Sequence, residues 1–498
     1  MDSDPHSPEL KPWWRRRFFK AVVITSVCIV AFYVIERLVG ELAWQGYRKE
    51  ALARGVKLNL ADYERPPIPD DENYAAAPIF KKLMLPGDPA KIGKIFELPP
   101  RQRTGSKNKE PGPLDLTDWQ QGFLKAQWIP TAGENPAGDV LFALERMSGP
   151  LGEIRSASSR PKTQWPFKWS EGPNTPTVFG TLQGMSMCFS LRARALLALD
   201  RPDEALGEIR QIARIADSLK GEPFLIFGLV RIAIWNLALA VAEQGIQAGK
   251  WRAADLVELE RLFGSTNQLA EWKQSLDSER GHGNYYLDRA VTASPTAFGE
   301  ETYGLFNTGA FPPSKPDPAL SAILGIVPRG WIRRAQVGYN RSLDGELEDI
   351  DSEGELIAPR FSRAQSAASN PSWLDRLRPS KYILSGASGG VFAFASFRAF
   401  ELHSRLQQLR VICALTRYRQ AERRFPESLS DLVPAYLPAV PRDIMDGQPM
   451  RYRRADDGGC RVWSIGTNRS DDGGTLRNRN RTAYDWVSEL PPMPVAEQ

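Results

Sequence analysis

The chain is poor in cysteine and nearly devoid of histidine, with 4 and 3 respectively in 498 residues. Four cysteines cannot staple a scaffold of this length. One of them, Cys28, falls inside an apolar run. His6, His282 and His403 are too few for most histidine-based metal sites or triads. A dominant charge sign is missing too: 64 Lys and Arg face 59 Asp and Glu, a net of +5. That excess is too small over this length to mark a nucleic-acid-binding surface. There is no H-E-x-x-H, no C-x-x-C and no Walker loop. The hydrophobic fraction of 42% and charged fraction of 25% exclude wholesale disorder, and 40 Gly without a triplet period exclude collagen. The length calls for more than one folded unit.

One long hydrophobic run is present. Residues 21–35, AVVITSVCIVAFYVI, carry no charge, and Phe18, Phe19, Leu38 and Val39 extend the run on both sides. Residues 18–39 therefore approach the roughly 20 residues that span a bilayer. Trp13 and Trp14 precede Arg15, Arg16 and Arg17, an aromatic and basic flank of the kind that stays cytoplasmic. Five Lys or Arg lie between Lys11 and Lys20, against Arg37 alone in the ten residues after Ile35. A cleaved signal peptide would have a shorter run followed by a small-residue site, whereas here IERLVGELAWQGYRKE follows. The expectation is an uncleaved signal-anchor in the cytoplasmic membrane, with residues 1–17 inside and the bulk extracytoplasmic, which in a diderm bacterium means periplasmic.

Beyond the anchor, residues 41–58 read as a helix leaving the membrane. A Pro-rich tract, ERPPIPDDENYAAA, follows, with Asp70–Asn73 placed to cap a helix near Tyr74. Residues 99–113 read as an exposed loop. The clearest helical block covers 175–280. Ala205, Leu206, Ile209, Ile212, Ala213 and Ala216 recur at spacings of 3 and 4, one apolar face of a helix. Pro202 suits its first turn and Asp200 its cap. Further helices are expected at 224–247, 253–263 and 271–280. The D-R-P-D-E-A-L turn between two such helices resembles a tetratricopeptide hairpin, without a demonstrated repeat. Residues 281–390 are expected to be irregular, with a helix at 331–350 and loops at 312–320 and 342–380.

Residues 391–424 read as a long amphipathic helix with Leu402, Leu406, Leu409, Ile412, Cys413 and Leu415 on its buried face, ending before Pro426. SLSDLVPAYL reads as a short helix. MRYRR and CRVWSI alternate around Ala455–Gly459, a β-hairpin pattern. The fold class expected is thus mainly α: an N-terminal transmembrane helix (18–39), a helical-hairpin, TPR-like body (40–280), the irregular region, and a small α+β C-terminal module (391–490) with a long helix and a β-hairpin.

The order of elements in that module carries a resemblance. A helix ending A-L-x-x-Y-R leads to F-P-x-S-L-x-x-L-V-P-x-Y-L, then P-x-D-x-x-D-G-x-P-x-x-Y, a hairpin, W-S-I-G and D-D-G-G. This resembles the C-terminal half of the major pseudopilin of type II secretion systems. It is also similar to the C-terminal module of large uncharacterised membrane-anchored proteins of Planctomycetes and Verrucomicrobia, where a tract like PPIPDDENYAAA follows the anchor. The pseudopilin resemblance implies a calcium loop after the S-x-G strand, here at Ser464, Asn468, Asp471, Asp472 and Asp485. Calcium takes six to eight oxygen ligands, which carboxylates and carbonyls on a Gly-rich loop can supply. The sequence departs from that pattern at Thr467-Asn468-Arg469, where an acidic residue followed by Gly is usual, and Arg477, Arg479 and Arg481 add positive charge. The same Asp and Gly residues also suit a solvated turn.

Catalytic candidates are few. Gly386-Ala387-Ser388-Gly389-Gly390 matches G-x-S-x-G, a motif that needs a strand before it and Asp and His after it. Only His403 follows, inside a predicted helix, so the segment is expected to be a Gly/Ser-rich linker into that helix. Glu279 and His282 could do acid–base work near a helix end. Free Cys188 and Cys413 fit small buried hydrophobes. The preferred reading is a non-enzymatic binding or scaffolding protein of the cell envelope, bound to the bilayer through 18–39 and to a protein partner, with no nucleic acid. The alternatives are a carboxylate- or metal-dependent envelope hydrolase and a calcium-stabilised structural module related to secretion machinery.

Overall fold

The computed structural model describes residues 12–84, 89–102, 112–172, 178–294, 327–357, 379–456, 458–475 and 485–492. The expected loop at 312–320, most of those at 99–113 and 342–380, and Arg477, Arg479 and Arg481 lie outside the described residues. So do the side chains of Trp13, Trp14 and Arg15.

The protein is mainly helical with a small C-terminal sheet. Helix α1, Pro12–Ala53, runs unbroken for 42 residues. Its N-terminal part is long and apolar enough to cross a membrane, and no residue of that apolar window is buried by the rest of the chain. From Glu36 onward a stripe of Gly40, Trp44, Tyr47 and Ala51 turns inward, at helical spacings of 3 and 4. Short helices follow: α2 (Pro78–Leu83), α3 (Pro89–Ile95), α4 (Thr117–Lys125), α5 (Pro136–Leu144) and α6 (Ser148–Ala157). The Pro-rich tract ahead of them is fastened by Asn73. Its carboxamide oxygen caps Ala75 N at 3.1 Å and accepts from Gln164 N at 2.9 Å, while its amide donates to Gln164 O at 2.8 Å.

The body is built on α7 (Val178–Ala198), α8 (Pro202–Asp217), α9 (Leu225–Gln247), α10 (Ala253–Gly264) and α11 (Gln268–Thr292). Helices α7 and α8 form the expected antiparallel hairpin, and Ala205, Leu206, Ile209, Ile212, Ala213 and Ala216 are its buried stripe. Pro202 occupies the first turn, as expected. Asp200 does not cap: the cap residue is Arg201, and Asp200 sits at φ +57 just beyond α7. Asp tolerates that left-handed conformation, so one residue type suits both jobs. Helix α9 is also apolar enough for a membrane, but it is largely buried by its neighbours and forms the central core helix.

Helix α11 continues past the expected end at 280 and packs against α12 (Arg329–Glu348). Helix α13, Pro379–Glu422, starts well before residue 391. A two-stranded ribbon, β1 (Ile350–Asp351) with β2 (Leu356–Ile357), precedes it. The C-terminal sheet has the order β3–β4–β5, all antiparallel: Arg451–Arg454, Cys460–Ser464 and Trp486–Leu490. The hairpin matches the expected one, pairing Arg451 with Trp463 and Arg454 with Cys460. The third strand was not legible in WVSEL. It is tied to α13 through Gln408, whose Nε2 donates to Trp486 O at 2.7 Å and whose Oε1 accepts from Ser488 Oγ at 2.7 Å. One continuous apolar core runs from Leu60 to Leu490.

A buried polar hub joins α1 to this body. Arg280 on α11 is 1% exposed. It donates to Asp277 Oδ1 (2.9 Å), Tyr47 Oη (3.0 Å), Asn340 O (3.0 Å) and Asp344 Oδ1 (2.6 Å). Tyr47 and Arg54 also donate to Asp344 Oδ2. Burial alone would raise the Asp344 carboxyl, yet Arg280 and Arg54 hold it below its ordinary value. Burial pushes the Tyr47 phenol up to about 12, so it stays a donor. Removing one partner of such a cluster strands the others in a dry site. Arg280→Ala should therefore cost about 3–5 kcal/mol in urea unfolding, and Tyr47→Phe only about 1 kcal/mol.

Candidate functional site

The C-terminal module is organised by a carboxylate not singled out in the sequence. Asp443 is fully buried. Its Oδ1 accepts from Ser464 Oγ at 2.7 Å and Met445 N at 3.0 Å, and its Oδ2 from Ile465 N at 2.9 Å and Arg451 Nη1 at 2.7 Å. Arg451 also pairs with Asp446 at 2.5 Å. Gly447 closes the loop at φ +74, a conformation that costs glycine little. The P-R-D-I-M-D-G-Q-P run is thus a structural clasp holding the end of β4.

Of the five candidate calcium ligands, Ser464 is set apart, while Asp485 lies near Asp471 and Asp472. Ser464 is buried and donates to Asp443. Asp471 Oδ1 accepts from Trp463 Nε1 and Gly473 N, both at 2.9 Å. Asn468 donates to Asp472 at 3.2 Å. Asp485 is 5% exposed, and its Oδ2 accepts from Gly474 N at 2.9 Å. Its Oδ1 is buried with no hydrogen-bond partner among the described residues. Burial, with the nearby charges of Asp472 and Asp471, raises the Asp485 carboxyl. Among the described residues, no three His, Cys, Asp or Glu side chains are grouped closely enough to hold a metal ion. Arg469, where the pseudopilin pattern has a different residue, sits at φ +56 and donates to the carbonyls of Ile357 and Met445. It clamps β2 to the Asp443 loop.

The catalytic candidates resolve into structural roles. Gly386–Gly390 lies within α13, with helix on both sides rather than the strand an elbow requires. His282 Nδ1 meets Glu279 Oε1 at 2.8 Å, both buried, and Glu279 Oε2 accepts from Leu225 N at 2.8 Å. That carboxylate satisfies a free amide at the start of α9 and fastens α11 to it. Burial raises the thiols of Cys188 and Cys460 to about 12 and that of Cys413 well above its ordinary value. All three are free and buried, and inert for the same reason.

Two open features stand out among the described residues. A cleft of about 590 Å³ lies where α10, α13 and the 433–438 loop meet, lined by Glu260, Arg261, Arg410, Arg417 and Tyr436. Arg417 is held by Glu260 at 2.6 Å and by the Tyr436 carbonyl at 2.5 Å. Burial raises the Glu260 carboxyl, against the pull of Arg417 and Arg410. Arg410 makes one side-chain bond, Nη1 to Gln407 Oε1 at 2.7 Å, and its Nε is buried without a partner among the described residues. Arg261 is paired with Glu258 at 2.6 Å and Arg417 with Glu260, so Arg410 is the cleft guanidinium without a carboxylate in ion-pair range among the described residues. A second groove, of about 710 Å³ and mostly apolar, runs between α3, α7 and α9, lined by Phe96, Leu98, Met187 and Leu237. The sequence placed Arg410 and Arg417 two turns apart on one helix, but Arg261 and the 433–438 loop reach them only through the tertiary fold.

No family model, curated protein or solved structure matches this chain.

The Asp443 clasp predicts a sharp asymmetry. Asp443→Ala strands Arg451, Ser464 and two amides and should cost about 3–5 kcal/mol. Asp446→Ala, at a part-exposed partner, should cost about 1 kcal/mol or less. Urea unfolding followed by tryptophan fluorescence checks both.

Proposed function

We propose that this chain is a single-pass membrane protein whose helical body lies outside the cytoplasm and binds or scaffolds a protein partner of the cell envelope, without catalysing a reaction. The apolar part of α1 supports the anchor, and the basic residues before it support a cytoplasmic N-terminus. The observation that carries the binding role is the cleft between body and C-terminal module, in which Arg410 has no carboxylate in ion-pair range among the described residues. Arg410 presents donors that suit a carboxylate of an acidic partner segment, and Tyr436 supplies an aromatic wall. A photo-crosslinking residue at Val257, on the cleft rim, should capture a discrete partner in cells. One at exposed Phe142, on α5, should not. Arg410→Glu should weaken the Val257 adduct about tenfold or more while leaving the circular dichroism unchanged. Equal adducts at both positions, or an adduct insensitive to Arg410→Glu, would contradict the reading.

A second reading, that the module is stabilised by calcium as in the pseudopilins it resembles, is favoured by one observation. The buried Asp485 carboxyl, whose Oδ1 has no hydrogen bond among the described residues, lies near the charges of Asp471 and Asp472, which a cation would offset. Calcium should then raise the melting temperature of the full chain, and Asp485→Asn should abolish the rise. Identical midpoints in calcium and in chelator would rule it out.

A further inference from the structure

The anchor leaves no room for a flexible tether. Phe18–Ile35 is 18 residues with Lys20 as its one charge, about 27 Å of helix at 1.5 Å per residue, close to the thickness of a bilayer's hydrocarbon core. The next residue, Glu36, is already in contact with the body. Its carboxylate pairs with Arg334 and accepts from Trp331 Nε1 at 2.8 Å, both on the first turns of α12. One turn further into the span, the Phe32 ring meets the Trp331 ring edge-on at 6.5 Å. A residue of the folded body thus touches a side chain inside the apolar run.

Backbone geometry fixes this level. Gly40 and Gly330 bring α1 and α12 into main-chain contact: a Cβ at Gly330 would collide with the Glu36 carbonyl, and one at Gly40 with Gly330 itself. Small residues allow this close approach between helices at membranes. The outward face of α1 stays apolar beyond Glu36, with Leu38, Val39 and Leu42 exposed by 59%, 45% and 72%. Lipid that covers those side chains also reaches the level of the α1–α12 crossing.

We propose that the first turns of α12 are a second bilayer contact, with Trp331 and the Glu36–Arg334 pair lying in the headgroup layer and the body seated directly on the membrane. Tryptophan belongs at this depth, where its ring meets acyl chains and its N–H meets polar groups. Arg334 neutralises Glu36 there, and Arg333 is satisfied by Glu41 and Asp288. The inference rests on α1 spanning the bilayer.

The wild-type full chain, reconstituted into phosphatidylcholine–phosphatidylglycerol vesicles carrying a phospholipid with a diazirine near the ester linkage, is irradiated, and adducts are mapped by peptide mass spectrometry. The expected result is adducts in residues 18–35 and on the peptide holding Trp331, with none on the C-terminal sheet at 451–464. Adducts in 18–35 without any at Trp331 would overturn the second contact. Labelling of Trp331 no stronger than of 451–464 would overturn it as non-specific. An absence of adducts from 18–35 would instead remove the membrane-spanning reading beneath it.

Discussion

Arg280 is the point on which the rest of the structure depends. One guanidinium, closed off from water, binds the anchor helix through Tyr47, its own helix through Asp277, and α12 through Asp344 and the Asn340 carbonyl. A charge at that depth is tolerated because every neighbour answers it. Around it the helices pass at backbone distance: a Cβ at Gly283 would collide with the Tyr339 ring, as one at Gly330 would with α1. A long apolar helix that would otherwise be a loose tether becomes part of the folded body.

The same economy governs the C-terminal module. Asp443 is to the sheet what Arg280 is to the helices: one buried charge whose hydrogen bonds fix the end of β4, the 443–447 turn and Arg451. Arg469 then ties this turn to β2. Helix α13 carries the module on one side and packs against α9, α10 and α11 on the other. The cleft around Arg410 forms at this junction, so its shape depends on the body and the module together.

Much of this was legible in the residues. Helix α8 follows apolar positions 3 and 4 apart, and the hairpin follows alternation around a Gly-rich turn. The misreadings have physical causes. Asp200 is equally at home as a cap and in a left-handed turn. The run of Gly386, Gly389 and Gly390 reads as a linker because glycine costs a helix about 1 kcal/mol, yet α13 continues through it. Strand β5 gains its place from pairing with β4 and from Gln408, neither of which a local pattern can show. Ser464, a calcium ligand only as the pseudopilin resemblance implies, donates to Asp443, 21 residues away, a pairing that local sequence cannot show. The cleft arginines needed the tertiary fold to meet.

The most direct test of the rigid coupling between anchor and body is hydrogen exchange of the α1 amides in the full chain, reconstituted in vesicles. If the Arg280 hub and the Gly40–Gly330 crossing hold α1 to the body, amides 41–53 will exchange only with the global opening that releases α11 and α12. Exchange of 41–53 that is orders of magnitude faster than that of α11 would mean a frayed tether, and would contradict a clamped anchor.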